Sequence, residues 1–341
     1  MTLDLPLIWA GIIALAVLLY VLLDGFDLGV GILFPFAGSP RRRDVMVDTV
    51  APFWDGNETW LVLGGGGLMA AFPVAYAILM PALYAPVLLM LMGLILRGVA
   101  FEFRHRGRSR GKRFWTVVFT VASVVATVAQ GLVLGGFVQG VESTGDVFTG
   151  EPFAWLTPYS FLVAAGLVAG YALLGATWLV WRTEGELQAR ARRWTWLSAA
   201  ATGILLAAVS LATLAIRAPV AERWGFTEAG FEAGRFLRLA VIPLLGAAGL
   251  ALIAWGLRRR GHVTPFLGAY TVFLSGFAGL AAGFFPDVVP YGVTIWQAAS
   301  PDNALAFLLV GAVILVPMIL GYTAWVHWIF RGKVGMDAGY Y

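Results

Sequence analysis

The chain has 341 residues, 60% of them hydrophobic and 12% charged, with a mean hydropathy of +0.83 and a formal net charge of +4. An ordinary soluble protein carries about 25% charged residues, so a soluble fold is excluded, and the absence of cysteine excludes disulfides, iron–sulfur clusters and thiolate ligation. Repeated apolar runs of about 20 residues point to an all-α polytopic membrane protein and away from a transmembrane barrel, whose segments alternate weakly over about ten residues. Residues 1–341 read as a single membrane-embedded domain. The opening Met1-Thr2-Leu3-Asp4 has no basic segment and no small-residue cleavage site, so the first apolar segment is expected to be retained.

Charged and turn-rich breaks divide the chain into nine expected spans, about 7–36, 53–72, 75–101, 114–138, 158–181, 194–216, 237–257, 265–285 and 304–330. The connections alternate in character. Arg41-Arg42-Arg43, Arg104 to Arg113, Arg182 to Arg193 and Arg258-Arg259-Arg260 are basic, whereas Phe72-Pro73-Val74, Glu142 to Glu151 and Asp287 to Asp302 are neutral or acidic. With the tail, the basic side holds 18 Lys and Arg against four on the other, which sets the N-terminus outside and the C-terminus in the cytoplasm. Spans one to four and five to eight share an orientation, so the expected architecture is two four-helix bundles plus one additional helix. Gly64 to Gly67 and Gly135-Gly136 offer sites of close helix approach, and tryptophans near the span ends, such as Trp9, Trp115, Trp178 and Trp325, read as interfacial anchors.

The first two spans carry the anomaly. An Asp near the centre of a membrane helix costs about 2.5–3.5 kcal/mol on insertion scales, and each Leu, Ile, Phe or Val returns about 0.3–0.6. The eighteen such residues in 7–36 can carry Asp24 and Asp27 into the bilayer, but folding alone does not call for the pair. On a helix, Asp24 and Asp27 share a face, as do Asp55 and Glu58 at the start of the second span. Asp24 lies about 26 Å along the axis from Leu7 at 1.5 Å per residue. Asp55 and Glu58 enter from the cytoplasm to a similar depth, and Arg97 reaches that level from the third span, with Glu102 and Arg104 just beyond.

Two readings of this cluster are open. In one, Arg97 pairs with an acid and Asp55 caps the second helix, fixing register. In the other, surplus carboxylates with raised proton affinity form a cytoplasmic proton route. Histidine is scarce: His105 and His262 lie in basic connections and His327 near the inner end of the last span, so no facing pair offers axial haem ligation. Met69, Met80, Met90 and Met92 read as packing residues. No metal-spaced cluster or nucleic-acid motif is present, and the Arg104 to Arg113 run reads as a topology determinant at lipid headgroups.

Three motifs together resemble subunit II of the cytochrome bd-type quinol oxidases. They are Asp24-Gly25-Phe26-Asp27-Leu28-Gly29-Val30-Gly31, Ala51-Pro52-Phe53-Trp54-Asp55-Gly56-Asn57-Glu58-Thr59-Trp60-Leu61 and Arg97-Gly98-Val99-Ala100-Phe101-Glu102-Phe103-Arg104. Phe285-Pro286 and Leu320-Gly321-Tyr322-Thr323-Ala324-Trp325 extend the likeness towards the C-terminus. The resemblance implies a multi-pass subunit of a bacterial or archaeal cytoplasmic membrane, in a terminal oxidase that oxidises quinol and reduces dioxygen to water with protons from the cytoplasm. It implies two haems b and one haem d held by the partner, subunit I, room for a small accessory subunit, and in some members a bound quinone. Carried onto this chain, it marks Asp24, Asp27, Asp55 and Arg97, with Trp54 and Glu58 as neighbours; together with the shared depth, the expected proton pathway is Asp24, Asp27, Asp55 and Glu58, with Trp54, Asn57, Arg97 and Glu102 organising the cluster. The rival class is a proton-coupled secondary transporter, which uses the same kind of intramembrane acid; the lack of a clear inverted repeat speaks against it.

Overall fold

The computed structural model describes residues 3–106 and 109–335, apart from the side chains of residues 105–109. The side chains of His105, Arg106 and Arg108, part of the basic run, therefore lie outside the described residues. The first span is α1 (Leu5–Leu33), started by Asp4, whose carboxylate accepts from Leu7 N at 3.1 Å, and by Pro6 in the first turn. A short 3₁₀ turn, Phe34–Ala37, leads to α2 (Pro40–Val50), a polar helix capped by Ser39. Then come α3 (Trp54–Ala71), α4 (Pro73–Ala82), α5 (Tyr84–Arg106) and α6 (Ser109–Gln139). The second half holds α7 (Pro158–Arg182), α8 (Gly185–Ile216), the short α9 (Ala218–Arg223) and α10 (Ala233–Leu239), α11 (Val241–Arg258), α12 (Thr264–Phe284), a single turn α13 (Ile295–Ala298) and α14 (Asp302–Ile329).

Among the described residues eight helices are long and apolar enough to cross a membrane, and nine spans result if the bent pair α3–α4 counts as one. That pair corrects the expected third span. Residues 73–82 do not begin the helix that carries Arg97; they form α4, turned by 120° from α3, and the span starts at Tyr84. The cause is Pro73, which lacks an amide hydrogen and holds Phe72 at φ −130°, ψ 64°, outside the helical region. Three two-stranded hairpins occupy the acidic or mixed connections: β1–β2 (Ser143–Thr144, Val147–Phe148), β3–β4 (Phe226–Thr227, Gly230–Phe231) and β5–β6 (Asp287–Val289, Val293–Thr294). Each spends its backbone hydrogen bonds locally, so the long spans are joined without unpaired loops at that end.

In the first half α1 packs on α3 and α6, and α6 on α5; in the second, α7 packs on α8 and α12, and α11 on α12. Helix α7 also lies along α1 and α6, which joins the halves in one body. The α1–α7 crossing is set by glycine on both sides. A Cβ on Gly29 would lie 1.8 Å from the carbonyl oxygen of Tyr171, and one on Gly175 would lie 2.3 Å from the carbonyl carbon of Gly29. Of the glycines singled out in the sequence, Gly135 meets Ser160, while Gly64 and Gly67 face α1 and Gly65 and Gly66 are open. Below the crossing, Phe26 stacks on Trp178 at 4.1 Å, with Phe53, Phe266 and His327 edge-on or tilted around them. The aromatic core thus sits directly beside the two aspartates of α1.

Candidate functional site

Asp24 and Asp27 project from one face of α1 and are fully buried, at 0% and 2% exposure. The chain approaches them from α3 and α5. Arg97 on α5 donates from Nη1 to Asp24 Oδ1 at 2.6 Å and from Nη2 to Glu58 Oε1 of α3. Asn57, one residue before Glu58 and buried, donates from Nδ2 to Asp27 Oδ2 at 2.7 Å. Glu58 retains 28% exposure, so the cluster runs from a partly open carboxylate through a buried guanidinium to a buried carboxylate. Three atoms lack a hydrogen-bond partner: Asp24 Oδ2, Asp27 Oδ1 and Arg97 Nε. Beside Asp27, the side chains of Val50, Trp54, Arg97, Phe101 and Phe119 leave a gap too narrow for a water molecule.

Charge stoichiometry decides what this arrangement can do. Asp24 and Glu58 pair with a single cation, Arg97, and Asp27, held by Asn57, is buried beside them with no ion pair among the described residues. Ion pairs in such places are stable only when both partners are also hydrogen-bonded, and an uncompensated buried charge is neutralised by a proton. Among the described residues, no group of three His, Asp or Glu is placed to hold a metal ion. The titratable groups of the site are its three carboxyls, around one guanidinium.

The other expected members stand apart. Asp55 is exposed in the first turn of α3, and the cap position is Phe53, which makes no side-chain bond, so the expectation that Asp55 caps this helix is corrected. Trp54 lies over α5, its ring 3.2 Å from where a Cβ on Gly98 would stand and 5.4 Å from Phe101. Glu102 is exposed on the opposite side of α5 from the bonded chain.

The whole chain shares this architecture with known proteins. Residues 5–330 match the family model described as cytochrome bd terminal oxidase subunit II. The chain belongs to that family. It is similar to cytochrome bd-I ubiquinol oxidase subunit 2 of Escherichia coli K12, 31% identical over 369 residues that cover 97% of this chain and 95% of the relative. It is 29% identical to cytochrome bd ubiquinol oxidase subunit 2 of Bacillus subtilis, with 96% of each chain covered. The bd oxidase structure from Geobacillus thermodenitrificans superposes with a TM-score of 0.75 over 97% of this chain and 100% of that one; at 16% identity this likeness concerns the fold. As a subunit II, the protein works within a haem-containing respiratory complex with subunit I that oxidises quinol and reduces dioxygen, and the transporter alternative falls.

His327 on α14 is half-buried, and its Nε2 has no hydrogen-bond partner. His327 Nδ1 lies 2.8 Å from the Thr323 carbonyl, which fixes the ring, and Phe53 covers it at 4.4 Å with Phe26 and Trp178 each at 6.3 Å. His262 is exposed in the α11–α12 connection, with Nδ1 3.1 Å from Gln188 Nε2.

Sequence reasoning missed two sets of residues. Arg104 is buried at 2% exposure and donates to Asp44 Oδ1 at 2.7 Å and to Thr116 at 3.2 Å, with Lys112 on the other Asp44 oxygen at 3.0 Å. It is thus a packed ion pair over the Phe34 ring and not a headgroup contact, which corrects the reading of that end of the basic run. The second set is Tyr20, Gln130 and Tyr171, bonded to one another beside Asp24. The available signal was Tyr20, one helical turn before Asp24; single polar residues on α6 and α7 carried none.

Proposed function

We propose that subunit II supports the oxidase as a helical scaffold and delivers protons to it from the cytoplasm through Glu58, Arg97, Asp24 and Asp27, with exposed Asp55 one turn before Glu58 at the mouth. The observation that carries this reading is the bonded sequence from a partly exposed acid, Glu58, through Arg97 to the buried Asp24, with a third acid, Asp27, buried on the same helix face and bonded to Asn57. Glu58 exchanges protons with water, Arg97 holds Glu58 and Asp24 at fixed separation, and Asn57 orients Asp27 by one oxygen, leaving the other able to bind a proton. Asn in place of Asp is nearly isosteric but cannot exchange a proton. Asp24→Asn and Asp27→Asn are each expected to slow oxygen consumption by about tenfold or more, the effect of about 1.4 kcal/mol of added barrier, with haem content unchanged. Native turnover at native haem content in both variants would reduce the cluster to a structural role.

In this reading the two haems b and the haem d belong to subunit I, since no facing pair of histidines stands in this chain's spans. A quinone bound to this subunit would lay its tail in the apolar groove of about 570 Å³ between α6, α7 and α8, where Ser198 is the polar side chain and already donates to the Trp194 carbonyl at 2.7 Å. Orientation follows the 18-to-four bias of Lys and Arg, with the N-terminus outside. In this cysteine-free chain, Ser143→Cys should react with impermeant reagents in intact cells and Lys333→Cys should not; the reverse pattern would invert the topology.

A further inference from the structure

The connection between α8 and α11 is apolar where a loop in water would be polar. None of the residues of α10 is buried. Hairpin β3–β4 packs chiefly on the short α9, whereas β1–β2 and β5–β6 lie against α4. Phe226 and Phe231 face each other across β3–β4 with ring centroids 5.3 Å apart, Phe231 lies 5.6 Å from Phe236 of α10, and Trp224 lies 6.4 Å from Phe236. After this pairing Phe226 is still 45% exposed and Phe231 56%, and Leu237, next to Phe236, is 70% exposed. The apolar row continues down the chain. Leu237, Val241 and Leu244 are spaced as neighbours on one helix face and are all exposed, and the bonds from Ala240 N to Phe236 O at 2.8 Å and from Leu244 N to Ala240 O at 3.2 Å carry α10 into α11.

Length places this row in the membrane. Helix α11 has 18 residues, about 27 Å at 1.5 Å per residue, against a hydrocarbon layer of about 30 Å. Arg258-Arg259-Arg260 mark one end of the span, and about 20 residues back from Arg258 the other hydrocarbon boundary falls close to Arg238. Helix α10 therefore stands in the headgroup layer, where aromatic rings and long cationic side chains are favoured. The cations agree with this level. The four Arg on the N-terminal side of the bundle, Arg217, Arg223, Arg235 and Arg238, all lie in this one connection. Arg235 is held by Glu232 at 2.7 Å, whereas Arg238 donates from Nε to the Gly234 carbonyl at 3.2 Å and its two Nη nitrogens have no partner among the described residues. Arg223 donates to the Phe285 carbonyl at the end of α12, which ties the connection to a second span.

We propose that the α9–α10 connection is a membrane-surface anchor: Phe226, Phe231 and Leu237 seat at the boundary of headgroups and acyl chains, and Arg238, with Arg235 beside it, holds lipid phosphate. In the orientation proposed above the leaflet is the outer one; the anchor itself is the same in either orientation. The occupant is lipid because the exposed row is continuous with an exposed face of a membrane span, and because unpartnered guanidinium nitrogens stand at the level of the phosphates.

The test uses the assembled oxidase in lipid nanodiscs, oxidised and without quinol, with haem content as the measure of assembly. This chain has no cysteine, so Phe231→Cys, Leu237→Cys and Glu228→Cys each add one nitroxide site, and label taken up by the complex without these substitutions is subtracted. Collisions of the nitroxide with dioxygen, which concentrates in lipid, are compared with collisions with a water-soluble nickel chelate. At positions 231 and 237 dioxygen should prevail several-fold, and at 228, in the turn of the hairpin, the nickel chelate should prevail. Nickel prevailing at 231 and 237 would put the segment in water, and few collisions with either reagent would put it under a protein; each result overturns the anchor. Arg238→Gln should shift position 231 towards the nickel chelate and Arg238→Lys, which keeps a cation, should not. A value at 231 that Arg238→Gln leaves unmoved would overturn the phosphate contact.

Discussion

Two charged clusters lie along α5, and they differ in stoichiometry. At Arg97 one guanidinium pairs with Asp24 and Glu58, and a third acid, Asp27, is buried beside them. Two turns further on, Arg104 and Lys112 both pair with Asp44, and Asp48 lies one turn along α2, two cations for two acids among the described residues. The same residue types therefore do different work. The Arg104 cluster ties α2 to α5 and α6 by two direct ion pairs on Asp44, whereas in the proposed reading the surplus acid of the Arg97 cluster holds a proton, and its orphaned carboxylate oxygens are where that proton would sit. Neither burial nor the presence of arginine separates the two, since Arg97 and Arg104 are equally buried at 2% exposure.

The largest effect expected from this contrast comes from removing each arginine. Arg97→Ala leaves three carboxylates without a cation and should cost about 3–5 kcal/mol, read as loss of assembled, haem-containing complex. Arg104→Ala leaves Asp44 paired with Lys112 at 3.0 Å and should cost about 1.5–3 kcal/mol, the range for hydrogen bonds to charged groups. Equal losses in the two variants would show that stoichiometry is not what distinguishes the clusters.

A smaller effect sharpens the balanced side. Burial, with Asp44 beside it, pushes Asp48 up to about 6 against the opposing pull of Arg104 and Lys112. Its proton is held more tightly in the folded chain than in the unfolded one, so between about pH 4 and pH 6 the folded state binds more protons and stability falls as pH rises. The contribution is fully present below that window and lost above it. Asp48→Asn should flatten this part of the thermal-stability profile and raise the melting temperature above pH 6; an unchanged slope would mean that Asp48 titrates as a free carboxylate.

Much of the fold was legible because membrane spans announce themselves by length and hydropathy, and the bounds at 158–181 and 304–330 fall within a few residues of α7 and α14. The α3–α4 bend was not, because residues 74–101 form one apolar stretch in which prolines, Pro73 just before it and Pro81 and Pro86 within it, are the marks of a break, and hydropathy is blind to direction. The meeting of Asp24, Glu58 and Arg97 could be read from depth: charged residues on three successive spans at one level have few other partners. Asp55 and Glu102 lie at that level too, yet face outward, because depth does not fix which side of a helix is buried. Gln130 and Tyr171 are the reverse case, single polar residues whose role depends on a crossing of α1, α6 and α7 that two glycines permit.

The central claim is that the unbalanced cluster carries protons, and proton uptake during a single turnover tests it most directly. The reduced complex carrying both Asp24→Asn and Asp27→Asn would be mixed with dioxygen in the presence of a pH-sensitive dye, and uptake compared with the unmodified complex at equal haem content. Uptake slowed by about tenfold or more, with the earlier electron transfer unchanged, is the predicted result; uptake at the unmodified rate would contradict the account.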